Sequence, residues 1–335
     1  MSMRHRQRGV ALLIALLAVA LAVILIAALL DRGELTFART RNVLRGEQAV
    51  AYADGLEAYA AQILMRDLDE NRVDTHDDIW ALPLPPQEVP GGRISARMSE
   101  LNGCFNLNNL ATPARAEAPL WRARLRTLLT ALELDSSLGG AITDWIDGNS
   151  TIEADAGAED AAYLAQAIPY RTGNRVFAHV SELRLVRGIS GEVYARLAPN
   201  VCALPPGSVL NLNTATTAVL MSLDSRITVT LAERLRQDGH ARWADVGAAL
   251  QELEKQGVQI DEPNRRGLGV ASSYFLARGE MTLDDVPFTF SSLLERRQGG
   301  VDGGVHVLMR NRGGEDDVQT TNALRAAASN RVGTR

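Results

Sequence analysis

Lysine is almost missing from this chain: Lys255 is the single one among 35 basic residues, and all the others are arginine. That scarcity removes most lysine-dependent chemistry. No Gly-Lys pair exists for a phosphate-cradling P-loop, and a Schiff base would have to rest on Lys255, which lies in the polar, helix-like run GAALQELEKQG. Aromatic residues make up only 5%, too few for a base-stacking platform, and a net charge of −5 supplies no positive field for nucleic acid. The five histidines, His5, His76, His179, His240 and His306, are scattered, and no HExxH, GxSxG or dinucleotide glycine fingerprint occurs. Only two cysteines are present, Cys104 and Cys202, and they form neither a metal-binding nor a redox CxxC motif. What remains is an electronegative chain of 335 residues, 46% hydrophobic and 22% charged, which suits two or three globular modules of roughly 100–150 residues each.

The one long apolar run is at the amino terminus. Met1–Gly9 reads MSMRHRQRG, and Val10–Leu30 follows with no charge, long enough to cross a bilayer as a helix. Arg4, Arg6 and Arg8 precede it while Asp31 and Glu34 follow, so the positive-inside rule puts the tip in the cytoplasm and the body across the membrane. A secretory signal peptide is the rival reading, but its apolar core is usually shorter and ends at a small-residue cleavage site. Here apolar positions continue at helical spacing from Leu35 to about Met65, which predicts one long helix.

Arg8-Gly9 followed by Val10-Ala11-Leu12-Leu13 resembles the junction cut by a prepilin peptidase, with the cut between Gly9 and Val10. Most pilins and pseudopilins carry glutamate at the fifth mature position, where this chain has Ile14. In such fibres the buried acid pairs with the neighbouring subunit's amino terminus, because an unpaired charge in an apolar bundle is costly. Loss of that glutamate marks the K-type minor pseudopilins of the type II secretion system, the general secretion pathway protein K family. AITDWIDGNS, GAEDAAYL, IPYRTGNRVFAHVSELRLVRGIS and VCALPPGSVLNLNTATTAVLMSL are similar to that family in order and spacing.

Residues 92–108 alternate as a strand and turn after the proline-rich break ALPLPPQEVPG, and residues 109 to about 201 break into short helical pieces. Another helical stretch covers Thr214 to about Gly257, and strands return in SSYFLARGEMTL and GGVHVLMRN, with VPFTFSSLLERR between them. This order implies an α+β fold in which the long N-terminal helix packs on a small antiparallel sheet interrupted by a large inserted α-helical domain. Under the resemblance that is a pseudopilin fold. The expected divisions are a leader at 1–9, a transmembrane half-helix at 10–30, a periplasmic helix and first strands at 31–108, the α-domain at 109–269, closing strands at 270–310 and a flexible tail at 311–335. Trp80, Trp121, Trp145 and Trp243 read as core or interface anchors.

Cys104 and Cys202 lie 98 residues apart in an oxidising compartment, so a disulfide is expected, with two separate buried thiols as the alternative. The loop DWIDGNSTIEADAGAED offers oxygen donors at Asp144, Asp147, Asn149, Glu153, Asp155, Glu159 and Asp160, a set that favours calcium over zinc. Its spacing is not that of an EF-hand, and a solvated acidic loop capping the next helix is the plain alternative. Calcium binding is known in the K family, and the resemblance maps it onto Asp147, Asn149, Glu159 and Asp160. Asn149 stands where the family more usually has aspartate.

Two segments, FAHVSELRLVRGISGEVYARL and NLNTATTAVLMSLDSRITVTLAERLRQDGHARWADVGAAL, resemble helix-hairpin-helix modules. Ser190 replaces a hairpin glycine in one and Asp224 places an acid in the other, so they read as packing surface and no nucleic-acid partner is expected. The resemblance implies a noncatalytic subunit of the pseudopilus tip, in the inner membrane with its body in the periplasm. Its partners would be the I- and J-type minor pseudopilins, the prepilin peptidase and the inner-membrane secretion platform, with contact to cargo or the outer-membrane secretin left open. The alternatives are a membrane-anchored periplasmic DNA receptor and a calcium-dependent secreted enzyme.

Overall fold

Helix α1 (Arg4–Glu70) contains no proline, and its apolar positions carry it past the charged residues Asp31–Glu34 without a break. The computed structural model describes residues 4–112, 114, 116–153, 156–299 and 303–312. Contacts divide the chain into two units, residues 1–55 and 56–335. In the first, every residue from Val10 to Leu30 is exposed, and the helix is long and apolar enough to cross a membrane.

The second unit holds an antiparallel sheet of five strands in the order β1-β2-β7-β8-β9. The elements run β1 (Leu84–Val89), β2 (Gly92–Glu100), β3 (Phe105–Asn106), α2 (Ala118–Ala131), α3 (Leu138–Ile146), α4 (Asp160–Leu164), α5 (Gly191–Leu197), β4 (Val201–Cys202), β5 (Leu210–Asn211), α6 (Thr217–Met221), α7 (Val229–Arg236), α8 (Val246–Lys255), β6 (Leu268–Gly269), β7 (Tyr274–Leu283), β8 (Val286–Arg297) and β9 (Gly304–Arg312). Among the described residues all the α-helices after α1 fall between β2 and β7, so the α+β reading of a sheet interrupted by a helical body holds.

Residues 56–70 of α1 lie on this sheet. Ala60 and Leu64 pack with Trp80, Phe275, Ala277 and Leu294, and Trp80 meets Phe275 edge-on at 5.5 Å. Burial of these side chains stabilises the helix on the sheet by about 1.5–3 kcal/mol per large residue. Asp284 and Asp285 join β7 to β8 at φ 44° and 65°, the left-handed pair that a two-residue hairpin turn requires.

The structure differs from the sequence reading at four places. The proline-rich break contains β1, which tolerates Pro85 and Pro86 because it is an edge strand and pairs only with β2. VSELRL, read from sequence only as a helical piece, is a 3-10 helix (Val180–Leu185). The helical block also contains two short parallel pairings, β3 with β4 and β5 with β6. Finally, β9 runs to Arg312, and the rest of the tail expected from residue 311 lies outside the described residues.

The helical body has its own core, in which Trp121, Leu125, Leu128, Ile142, Trp145 and Tyr163 are all 3% exposed or less. Trp80, Trp121 and Trp145 are buried anchors, whereas Trp243 is half-buried at the edge of this core.

Candidate functional site

The acidic loop begins where α3 ends. Asp144 sits on the buried face of that helix, fully enclosed, and both its carboxylate oxygens accept from the Glu153 backbone N–H, at 3.1 and 3.3 Å. Asp147 is the C-cap residue one turn on; its Oδ1 accepts from Asn149 N–H at 3.2 Å, and its Oδ2 is buried without a partner. Glu159, at the start of α4, is 7% exposed and likewise leaves Oε1 unpaired.

These three acids sense one another. Burial raises each carboxyl above its ordinary value; Asp147 and Glu153 add to this on Asp144, Asp144, Asp147 and Asp160 add to it on Glu159, and on Asp147 the Glu153 charge is opposed by that of Arg122. Of the other four sequence candidates, the three that are described are otherwise engaged. Asp160 Oδ1 accepts from the N–H and hydroxyl of Thr172, at 3.0 and 2.8 Å, which holds this carboxyl below its usual range. Asn149 is exposed, and its Oδ1 accepts from Thr151 N–H at 2.6 Å. Glu153 pairs with Arg122 at 2.5 Å, and Asp155 lies outside the described residues.

Among the described residues only Asp67, Asp74 and Asp78 bring their ligand atoms within 4.8 Å of one another; Asp144, Asp147 and Glu159 are less tightly grouped oxygen-only donors, with two buried oxygens unsatisfied. That set fits a hard divalent cation such as calcium better than zinc. Its action there would be to neutralise the clustered charge and hold the loop closed.

Cys104 and Cys202 are joined by a disulfide, with Cα atoms 5.8 Å apart and 98 residues between them. Their positions follow from the parallel pairing of β3 with β4, which sets Asn106 beside Cys202. At the amino terminus, Gly9, Val10 and Ile14 lie on α1, and the Ile14 side chain is 62% exposed among other exposed apolar residues.

The family description "Type II secretion system (T2SS), protein K" matches residues 103–206 and again residues 210–271. The chain is 35% identical over 313 residues to the type II secretion system protein K of Pectobacterium carotovorum subsp. carotovorum, covering 87% of this chain and 93% of that protein. It is 33% identical over 324 residues to the Pseudomonas aeruginosa protein of the same name, covering 93% and 94%.

The chain belongs to the type II secretion system protein K family.

As a family member it is a minor pseudopilin, and its fold agrees. A chain in the crystal structure of the GspK-GspI-GspJ complex from the type 2 secretion system of enterotoxigenic Escherichia coli superposes with a TM-score of 0.72 at 28% identity, covering 83% of this chain and all of that one.

Sequence reasoning missed a buried, highly connected charged group in the chain. Arg296 on β8 lies among Asp67, Asp74 and Asp78, three buried acids whose ligand atoms fall within 4.8 Å of one another. It donates to Asp67 at 2.8 Å and to Asp74 at 2.6 Å, so an arginine already answers that cluster. The partners are more than 200 residues apart in sequence, which leaves no local signal to read. Six buried asparagines, Asn102, Asn106, Asn108, Asn109, Asn211 and Asn213, also went unremarked, although the repeated Asn-Leu-Asn was visible.

Proposed function

We propose that this minor pseudopilin is a noncatalytic subunit that closes the pseudopilus tip of a type II secretion system, together with I- and J-type minor pseudopilins, and so supports protein export across the outer membrane. The observation that carries the reading is Ile14, an exposed apolar side chain on α1 at the position where most pilins hold the glutamate that pairs with the next subunit's amino terminus. A helix that offers no carboxylate there joins the bundle by apolar side-by-side packing and makes no charged contact to a subunit above. The helical body between β2 and β7 adds bulk to the same subunit. The presence of GspI and GspJ in the complex that holds the superposable chain supports the choice of partners.

In this reading a prepilin peptidase cuts between Gly9 and Val10, Val10–Leu30 anchors the chain in the inner membrane, and the body lies in the periplasm. The full-length chain co-expressed with the peptidase and with I- and J-type partners should lose Met1–Gly9 by intact mass and co-purify with both. An uncut chain that extracts alone would overturn the assignment.

Calcium is the proposed structural ion of the acidic loop, held by Asp144, Asp147 and Glu159, with Asn149 and Asp160 at its rim. The two unpaired buried oxygens and the mutual repulsion of the acids support it. Calcium should raise the melting temperature over that in EGTA; identical melting in both would remove the ion from the account.

A further inference from the structure

The helical body is built twice from one plan. Its first half opens on Phe105-Asn106-Leu107-Asn108 and its second on Leu210-Asn211-Leu212-Asn213. Each opening forms a two-residue parallel pairing with a segment near the end of its half, β3 with β4 and β5 with β6. In each, the first asparagine accepts from the second one's N–H, at 3.1 Å for Asn106 and 2.9 Å for Asn211. The second asparagine then grips both backbone groups of a distant aromatic residue. Asn108 accepts from Phe177 N–H at 2.7 Å and donates to its carbonyl at 2.9 Å; Asn213 does the same to Trp243 at 2.8 and 3.2 Å.

The aromatic residues open matching stretches, Phe177-Ala178-His179-Val180 and Trp243-Ala244-Asp245-Val246, in which the third side chain caps the turn or helix that follows. Both stretches close on a left-handed glycine, Gly188 at φ 84° and Gly257 at φ 81°. Between opening and grip, Leu134-Asp135-Ser136 and Leu223-Asp224-Ser225 make the same turn, with each aspartate Oδ1 accepting from the N–H two residues on at 2.9 Å.

That turn fixes the register between the halves. Ile142 falls with Leu231 and Ile146 with Leu235, and all four are buried. Asp144 falls with Glu233, and Asp147 with Arg236. In the second half the acid is answered from its own helix: Arg236 Nη1 lies 3.3 Å from Glu233 Oε2, and the same guanidinium donates to the Ala215 carbonyl and the Thr217 hydroxyl, each at 3.2 Å.

In the first half the answering position is another acid. Arg122 reaches this loop and its charge acts on Asp147, but its Nη1 is held by Glu153 at 2.5 Å and leaves the Asp147 Oδ2 unpaired. The connection from Asp147 to Phe177 takes 30 residues where Arg236 to Trp243 takes 7, and the extra length brings in Glu159, 7% exposed with an unpaired oxygen and within range of the charge on Asp147, which has an unpaired oxygen of its own.

We propose that the two halves are copies of one helical unit in which a bound divalent cation does for the first what the Arg236 guanidinium does for the second, Asp147 being the residue that makes the first copy depend on an ion. The inference rests on the calcium reading and supplies the reason for it.

Thermal unfolding of the full-length protein in detergent, in EGTA and in calcium chloride, tests it. Asp147→Arg should melt about 3 °C or more above wild type in EGTA and gain less than wild type from calcium. No rise in EGTA overturns the inference, whatever calcium does to wild type. A wild type indifferent to calcium overturns the calcium reading and leaves the comparison in EGTA standing. Should Asp147→Arg show no cooperative transition, Arg236→Asp decides: it should melt at least as far below wild type, with no recovery in calcium because its half lacks the long connection. Melting together with wild type would overturn the inference.

Discussion

Arg296 Nη2 lies 2.6 Å from both carboxylate oxygens of Asp74, and the two side chains are only 3% and 2% exposed. The same guanidinium donates to Asp67 at 2.8 Å and to the Leu64 and Ser272 carbonyls, and stacks over Phe275 at 4.8 Å. One side chain on β8 thus fixes the end of α1 and the loop after it.

Replacing Arg296 with methionine would keep much of the volume and leave buried acids unanswered. Breaking one partner of such a pair costs about 3–5 kcal/mol, so Arg296→Met should lower stability by that order in urea titration. A loss under about 1 kcal/mol would mean that the acids simply take up protons.

Stability should fall as pH rises from 5 to 8. Burial pushes Glu100 up to about 7, against the hydrogen bonds it accepts from the Ser272 hydroxyl and the Asn102 and Gly103 N–H groups. Burial, reinforced by Asp74 and Asp78, pushes Asp67 up to about 6 despite Arg296. Both hold protons more firmly folded than unfolded, so the stability they add is complete below their unfolded values and lost as pH passes 6 and then 7. His76, held down by burial, opposes this over the lower part of the range. Melting in EGTA at half-unit intervals should show the decline, and Glu100→Gln should flatten its upper part. A melting temperature that climbs toward pH 8 would contradict the assignment.

The Cys104–Cys202 bridge closes a loop of 98 residues. By chain entropy a loop near that length contributes up to about 4.7 kcal/mol, and the double change Cys104→Ser, Cys202→Ser should cost a large part of it. Equal denaturation midpoints for the double variant and wild type would show that the bridge adds nothing to stability.

Asn108→Ala should strip both backbone groups of buried Phe177 of their partners and cost about 2–6 kcal/mol, at about 1–3 kcal/mol for each unsatisfied group. Asn213→Ala should cost no more, because Trp243 is half-buried and water can reach its backbone. The two variants compared by urea titration check the order.

Sequence alone made the long helix, the interrupted sheet, the cysteine pair and the acidic loop legible, because each leaves a local or compositional mark. It hid β1, since Pro85 and Pro86 argue against a strand until one knows that it lies at an edge and pairs on one side only. Within the acidic loop it offered seven oxygen donors on equal terms. Only the fold separates Asp147 and Glu159, with unpaired buried oxygens, from Asp160, which is turned to Thr172. The doubling of the helical unit escaped because its most similar stretches are separated by connections of 30 and 7 residues, which defeats any search for a fixed period.

Glu100 and Phe275 stand opposite each other in the ladder between β2 and β7, so the chain leaves the sheet and re-enters it at neighbouring points. Everything in between enters and leaves by that one doorway, with further bonds from Asn211 and His240 to the loop after α1, and the ladder beyond it would be undisturbed if a short hairpin closed the gap. The dimensions of the sheet and of the helix laid on it are thereby uncoupled from the size of what passes through that doorway. A subunit built this way can change the body inserted between β2 and β7 while the sheet and the helix on it keep their dimensions.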